Sequence, residues 1–428
     1  MAKSYTFIDL FAGAGGLSEG FVRAGFSPIA HVEMDKYACD TLKTRAVYHY
    51  LLKNRKLSIY KRYLLEKQRG ESGEQLWNKV PSSVTDCIIN ETISSSTINN
   101  IFQKIDSLKG KRCVDLIIGG PPCQAYSIAG RSRMGKMVEK DPRNDLYKYY
   151  VSFLERYHPK MFVFENVIGL ITARGGEPLN GLKQLVKTIG YEMQIQVQNA
   201  SELGVLQRRL RLIIVGWRKD DINSKGERYF YPVLKKEKNV YAVMKDLFSD
   251  LPSRKAGEGK MTEIVTYSKS LNEMKYLKES HIRNSSFNFT TQHVARPHNV
   301  NDRRIYCLAI KQWKENKKQL DYSKIPINLQ THINTKSFLD RYSVVNPDGC
   351  SHTVVAHISK DGHYYIYPTA NPTIDNVRSI TVREAARLQS FPDDFFFEGS
   401  RGSAFRQIGN AVPVVLAYKI AKELKKQL

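Results

Sequence analysis

Along the first half of the chain, short apolar runs alternate with longer polar stretches that suit helices, the pattern of an α/β unit wound around a largely parallel sheet. Six runs read as strands, at 5–11, 29–33, 114–118, 161–165, 193–197 and 212–215. After residue 218 the periods dissolve into a Lys-, Ser- and Asn-rich region that extends to about residue 372. A helical segment, TVREAARLQSF, and an apolar tail, AVPVVLAYKIAKEL, follow it. The basic stretch 43–79 interrupts the first half and reads either as a solvated helical hairpin or as a DNA contact.

A chain of 428 residues suggests two domains, or one large domain with a sizeable insertion. Its 66 Lys and Arg against 42 Asp and Glu give a formal charge of +24, spread throughout instead of gathered in a tail, which favours a polyanionic partner, nucleic acid before membrane. None of the six cysteines belongs to a CxxC pair, so neither a metal site nor a disulfide framework is predicted, as in a reducing compartment. The N-terminus lacks the apolar stretch of a signal peptide, and no run approaches a membrane span, so a soluble cytoplasmic protein is expected.

Chemistry concentrates where strands end. FIDLFAGAGGLSEGF is a strand, a glycine turn at Gly13, Gly15 and Gly16, and a helix start. Glu33 ends the next strand about 20 residues on, where a carboxylate can grip ribose hydroxyls, and Met34 can lie against an adenine face. The turn departs from GxGxxG, which admits a ligand without a pyrophosphate, such as S-adenosylmethionine, alongside a dinucleotide.

In DLIIGGPPCQAYSIAG a strand delivers Cys123 behind Pro121 and Pro122, which stiffen the backbone as a nucleophile requires. MFVFENV ends an apolar strand at Glu165, a candidate for a raised pKa and proton donation. QRRLRLIIVGW places Arg209 and Arg211 two apart, on one face of a strand that must run antiparallel to bring them to the same edge. Thiolate, acid and arginines suit attack on C6 of a cytosine, with the acid at N3 and arginine at O2, so that C5 becomes nucleophilic. That base has to be flipped out of its duplex.

With DLFAGAGG, GGPPCQAYS, ENVIGL, QRRLR, REAARLQSFPDDF and QIGNAVP present in order from Phe7 to the C-terminus, the chain resembles the DNA (cytosine-5-)-methyltransferases of bacterial restriction–modification systems. The resemblance implies a Rossmann-like S-adenosylmethionine-dependent methyltransferase fold with a mixed, mostly parallel sheet. Residues 1–219 and 405–428 would form the catalytic and cofactor-binding large domain, and 220–404 a smaller one with the target-recognition region. It implies Cys123 as nucleophile, Glu165 as the acid, and Arg209 and Arg211 at the cytosine and its surroundings. Phe11, Gly13, Gly15, Gly16, Glu33, Met34, Asn410 and Val412 would surround S-adenosyl-L-methionine, which leaves as S-adenosyl-L-homocysteine, so the first and last motifs should meet in space. Gln124, Ser127, Arg131, Arg133 and Thr353 would contact double-stranded DNA, the loop after Cys123 closing over it. A monomer is expected, at the nucleoid, protecting DNA from a cognate restriction endonuclease that acts at the same site without a stable complex.

Three features depart from the family's pattern. Leu206 stands where proline is common, which predicts a looser approach to the arginine-bearing strand; either Asp86 or Glu91 takes the acidic adenine contact; and 43–79 is longer than a minimal member needs. Transfer RNA as substrate, or a DNA-binding regulator without catalysis, are the competing readings. The size of the recognition region opposes the first, and intact Cys123, Glu165 and Arg211 oppose the second.

Overall fold

The computed structural model describes residues 4–70, 72–122, 145–223, 225–238 and 240–428. One sheet is built from β1 (Thr6–Leu10), β2 (Ser27–Glu33), β3 (Ile88–Asn90), β4 (Leu116–Gly119), β5 (Met161–Asn166), β6 (Tyr191–Asn199) and β7 (Leu210–Arg218). Their order is β3-β2-β1-β4-β5-β7-β6. Strands β1 to β5 pair in parallel, whereas β7 runs antiparallel to both of its neighbours. All six predicted strands are present; β3 is an addition.

Because successive strand residues project to opposite faces, the apolar strands supply two cores at once. Ile8, Ile117, Phe162 and Phe164 pack under α4 (Ile98–Lys109), α5 (Leu146–Tyr157) and α6 (Glu177–Thr188). Their chain neighbours Phe7, Leu116, Ile118, Met161 and Val163 pack on the other face, against α1 (Gly16–Arg23) and α10 (Val414–Lys425). The central strands are therefore covered on both sides, whereas the edge strand β6 leaves alternate residues to solvent. The first and last motifs meet along α1 and α10: a Cβ on Gly20 would fall 2.4 Å from the Ala417 Cβ, and one on Gly16 2.4 Å from the Val412 carbonyl oxygen.

A separate core gathers Val243, Leu247, Leu277, Val354 and Tyr365 with α8 (Val382–Leu388) and α9 (Arg401–Asn410). Thr381 and Glu384 form a capping box at the start of α8. Arg378 clasps the Glu384 carboxylate through two 2.7 Å bonds, and Arg383 donates to the carbonyls of Thr291, Pro392 and Phe395, so both Arg383 and Glu384 are structural.

The basic stretch 43–79 is more than a solvated hairpin. Its helices, α2 (Lys36–Lys53) and α3 (Leu57–Glu66), bury Val47, Tyr48, Leu51, Tyr60 and Tyr63 against Phe287, Phe289 and Phe396. Arg45 joins Glu19 of α1 to Asp394, and Tyr48 donates to the same Asp394 carboxylate. Among the described residues no helix is long and apolar enough to cross a membrane.

Candidate active site

The carboxyl ends of β1, β2, β4 and β5 lie side by side, where ligands of open α/β sheets bind. After β1 the backbone turns through left-handed φ at Phe11, Gly13 and Gly15 (58°, 55° and 81°), and nothing lies within 4 Å of a Cβ built on Gly13. Open space beside a glycine in this conformation lets a ligand approach the main chain. Glu33 fixes the turn from the next strand: one carboxylate oxygen accepts from the Gly13 N–H and the other from the Asp35 N–H, each at 2.8 Å. Burial raises the Glu33 pKa, and those two N–H donors only partly offset it. Met34 follows with 63% of its surface exposed, an apolar platform beside the carboxylate. Asn410 is exposed and Val412 buried at the end of α9, next to the turn's Gly16.

Of the two acidic alternatives, Glu91 stands just beyond the carboxyl end of β3, its N–H donating to the Glu33 carbonyl, whereas Asp86 precedes the strand at the opposite edge.

The second half of the site forms where β7 reverses. Pairing aligns Glu165 with Ile213 and Asn166 with Leu212, so Arg211 arrives at the carboxyl end of β5. Its Nε lies 2.8 Å from Glu165 Oε1, with both side chains mostly buried. Gly120 makes room for this pair, since a Cβ there would fall 2.7 Å from Glu165 Oε2. Asn166, buried, donates from Nδ2 to the Pro121 carbonyl at 3.2 Å and so fixes the chain two residues before Cys123. Sequence reasoning gave Asn166 no role; its position directly after Glu165, facing the proline pair across parallel strands, was the available signal. Cys123 itself, with Gln124, Ser127, Arg131 and Arg133, lies outside the described residues.

Arg209 does not join Arg211, and this corrects the expectation that both share a face. Strand β7 begins at Leu210, so the two-residue period does not reach Arg209. Its guanidinium is instead buried, donating to the carbonyls of Val354, Gly409 and Ala411. It fastens the segment at Val354 to the end of α9. The approach to β7 is also firmer than Leu206 in place of proline predicts. The Leu206 carbonyl accepts from the Ser351 N–H at 3.0 Å, and the Tyr276 hydroxyl donates to the Gly204 carbonyl. Gln207, fully buried, bonds the Leu388 carbonyl and the Val354 N–H. Thr353 is half-buried, and its hydroxyl donates to the Arg208 carbonyl at 2.6 Å.

A polar node that the sequence does not advertise joins α7 (Val300–Asn316) to the segment around residue 363. His298, Asp302 and His363 bring ligand-type atoms within 4.8 Å of one another. The Tyr306 hydroxyl sits 3.3 Å from His298 Nδ1 and 2.9 Å from His363 Nδ1, and Ser379 Oγ lies 2.9 Å from His298 Nε2. Burial pushes the His298 pKa down to about 3, so the imidazole is neutral and the node is held by hydrogen bonds.

A mostly parallel sheet with one reversed strand, a glycine turn tied to a strand-end carboxylate, and an acid–arginine pair beside them together define a Rossmann-like methyltransferase fold. The sequence matches the model of the C-5 cytosine-specific DNA methylase family over residues 5–59 and 87–426, and the chain belongs to that family. It is a DNA (cytosine-5-)-methyltransferase. It is 40% identical over 448 residues to the Type II methyltransferase M.Bpa9945I of Bacillus paralicheniformis, covering 98% of each chain. It is 29% identical to the Type II methyltransferase M1.HphI of Haemophilus parahaemolyticus, covering 99% of this chain and 87% of that one. In fold it is similar to a prophage-encoded DNA modification methyltransferase from E. coli, with a TM-score of 0.60 at 23% identity and 99% of both chains covered.

Proposed function

We propose that the protein methylates C5 of a cytosine flipped out of double-stranded DNA, through a covalent bond between Cys123 and C6, and that it protects host DNA in a restriction–modification pair. The observation that carries this reading is the Glu165–Arg211 pair at the carboxyl edge of the sheet, against Gly120 and three positions from Cys123. A carboxyl group and a guanidinium held together match the N3 and O2 edge of cytosine.

In this mechanism the Cys123 thiolate adds to C6, forming the C–S bond while the C5–C6 π electrons move toward C5. Glu165 hydrogen-bonds N3 as charge develops there, and Arg211 orients Glu165 and faces O2. C5 then takes a methyl group, a base removes the C5 proton, and the C–S bond breaks with the thiolate as leaving group. S-adenosylmethionine, when bound, supplies the electrophilic methyl on its sulfonium. The cradle suits that molecule: Glu33 has a ribose diol's complement and a burial penalty that hydroxyl donors would relieve, and Met34 and Phe11 offer apolar surface to adenine. Glu91 is the better placed acid for the adenine amino group. Asn410 and Val412 close the cofactor side. Arg209 acts by holding the frame. Residues 1–219 with 405–428 serve chemistry and 220–404 target recognition, with Gln124, Ser127, Arg131, Arg133 and Thr353 assigned to DNA.

A duplex library carrying 5-fluorocytosine tests the mechanism, because fluorine at C5 blocks the final elimination. A covalent protein–DNA adduct that requires cofactor and Cys123 is expected; no adduct with any site would overturn it. Sequencing of 5-methylcytosine in DNA from expressing cells would give the target and its specificity.

A further inference from the structure

We propose that the loop 327–341 is the element that reads bases, with Ile333 and Phe338 as its contact tip; this rests on the methyltransferase reading above. A single exposed isoleucine needs no explanation, but Ile327, Ile333 and Phe338 expose most of their surface within twelve positions, Ile333 entirely and Phe338 to 57%.

The loop is built to display these side chains. At its stem, buried Tyr322 stacks on Tyr342 at 5.8 Å, and the Tyr322 hydroxyl accepts from the His332 N–H at 2.8 Å. The Arg341 guanidinium lies 4.3 Å above the Tyr322 ring and donates to the carbonyls of Asn334 and Ser337. The Asn334 side chain accepts from the N–H groups of Lys336 and Ser337 at 3.0 Å each. Phe338 adopts φ 53°, uncommon for a residue with a side chain. A loop braced in this way has already lost much of the freedom that binding would otherwise remove.

Three hydrogen bonds tie it to the catalytic strand. Asp340 accepts from the Tyr364 hydroxyl, and the adjacent Tyr365 hydroxyl donates to the Thr353 carbonyl, while Thr353 bonds the Arg208 carbonyl just before β7. Charge selects the partner. Residues 317–341 hold five Lys or Arg against two Asp, and Lys336 lies between the two apolar residues of the tip in a chain of net charge +24. Lysines alone would suit phosphates. Isoleucine and phenylalanine gain nothing from phosphates, but they can meet thymine methyl groups or the faces of base steps. The occupant that fits both is duplex DNA, with Lys336 on the backbone and Ile333 and Phe338 on bases.

The test begins with the site that the wild-type enzyme methylates, found by sequencing. Ile333→Ala and Phe338→Ala, at exposed positions that do not endanger folding, are expected to lower kcat/KM on that site about tenfold to a hundredfold, mainly through KM. Methylation should spread to sites differing at one position, while the slope of log affinity against log salt stays unchanged. Lys336→Ala should weaken all DNA alike and lower that slope by about one. Unchanged site choice and kcat/KM in both apolar variants would overturn the proposal. A wild-type enzyme that methylates no DNA would instead overturn the functional reading.

Discussion

Arg211 and Glu165 face each other at 2.8 Å because β7 runs against β5, which brings the start of one strand to the end of the other. Glu165→Gln keeps the shape of the side chain and removes its acid. It is expected to lower kcat by about a hundredfold to ten-thousandfold. Arg211→Ala should cost about a hundredfold or more. Neither should move the thermal midpoint by more than a few degrees. Methyl incorporation into duplex DNA, measured beside thermal unfolding, separates the two effects.

Arg209 should behave in the opposite way. Truncation to alanine leaves the carbonyls of Val354, Gly409 and Ala411 without their donor and opens a cavity. We expect a loss of roughly 2–4 kcal/mol in urea unfolding, larger than for Arg211→Ala. Equal stability of the two variants would contradict the frame role.

Gly20→Ala sets helix propensity against packing. Alanine favours the helix by about 1 kcal/mol, but its Cβ would sit 2.4 Å from both the Ala417 Cβ and the Tyr418 nitrogen. Overpacking should win, destabilising the protein by about 1–3 kcal/mol. Calorimetric titration should also show weaker S-adenosylmethionine binding, because Gly16 and Val412 meet in the same seam.

Acid should weaken the fold through His293. Its ring accepts from the Thr381 hydroxyl and donates to the Pro252 carbonyl, and burial pushes its pKa down to about 4. An unfolded histidine takes up its proton near pH 6.5, so the unfolded state binds more protons between 6.5 and 4. Stability should be full above that window and fall through it by up to about 3 kcal/mol. His352, also near 4, adds in the same direction. Urea midpoints measured from pH 7 to 4.5 on the wild type and on His293→Gln check this. The variant's curve should be flatter.

The parts of the fold visible in the sequence were those with local patterns: apolar strands at ordinary spacing, the glycine turn, and Glu33 at the end of its strand. Strand β3 escaped because three residues are too few to show alternation. Arg209 was misplaced because a strand boundary one residue later removes it from the shared face. The stretch 43–79 read as a solvated hairpin or a DNA contact because the aromatic residues that bury it, Phe287, Phe289 and Phe396, lie far along the chain. The Leu206 departure is offset by partners far along the chain, Ser351 at its carbonyl and Leu388 and Val354 at the neighbouring Gln207 side chain. In the site, Glu165 and Arg211 were legible because each ends or begins an apolar strand; the service that Gly120 and Asn166 render them depends on neighbours in space.

The contact of Gly20 with Ala417 joins positions 397 apart in the chain. Such a contact closes a very large loop and contributes little until most of the intervening structure is in place. The ribosome must therefore deliver nearly the whole polypeptide before the glycine turn acquires its backing. Cofactor affinity thus becomes a late checkpoint of assembly, and fragments released early in synthesis should be inert toward DNA.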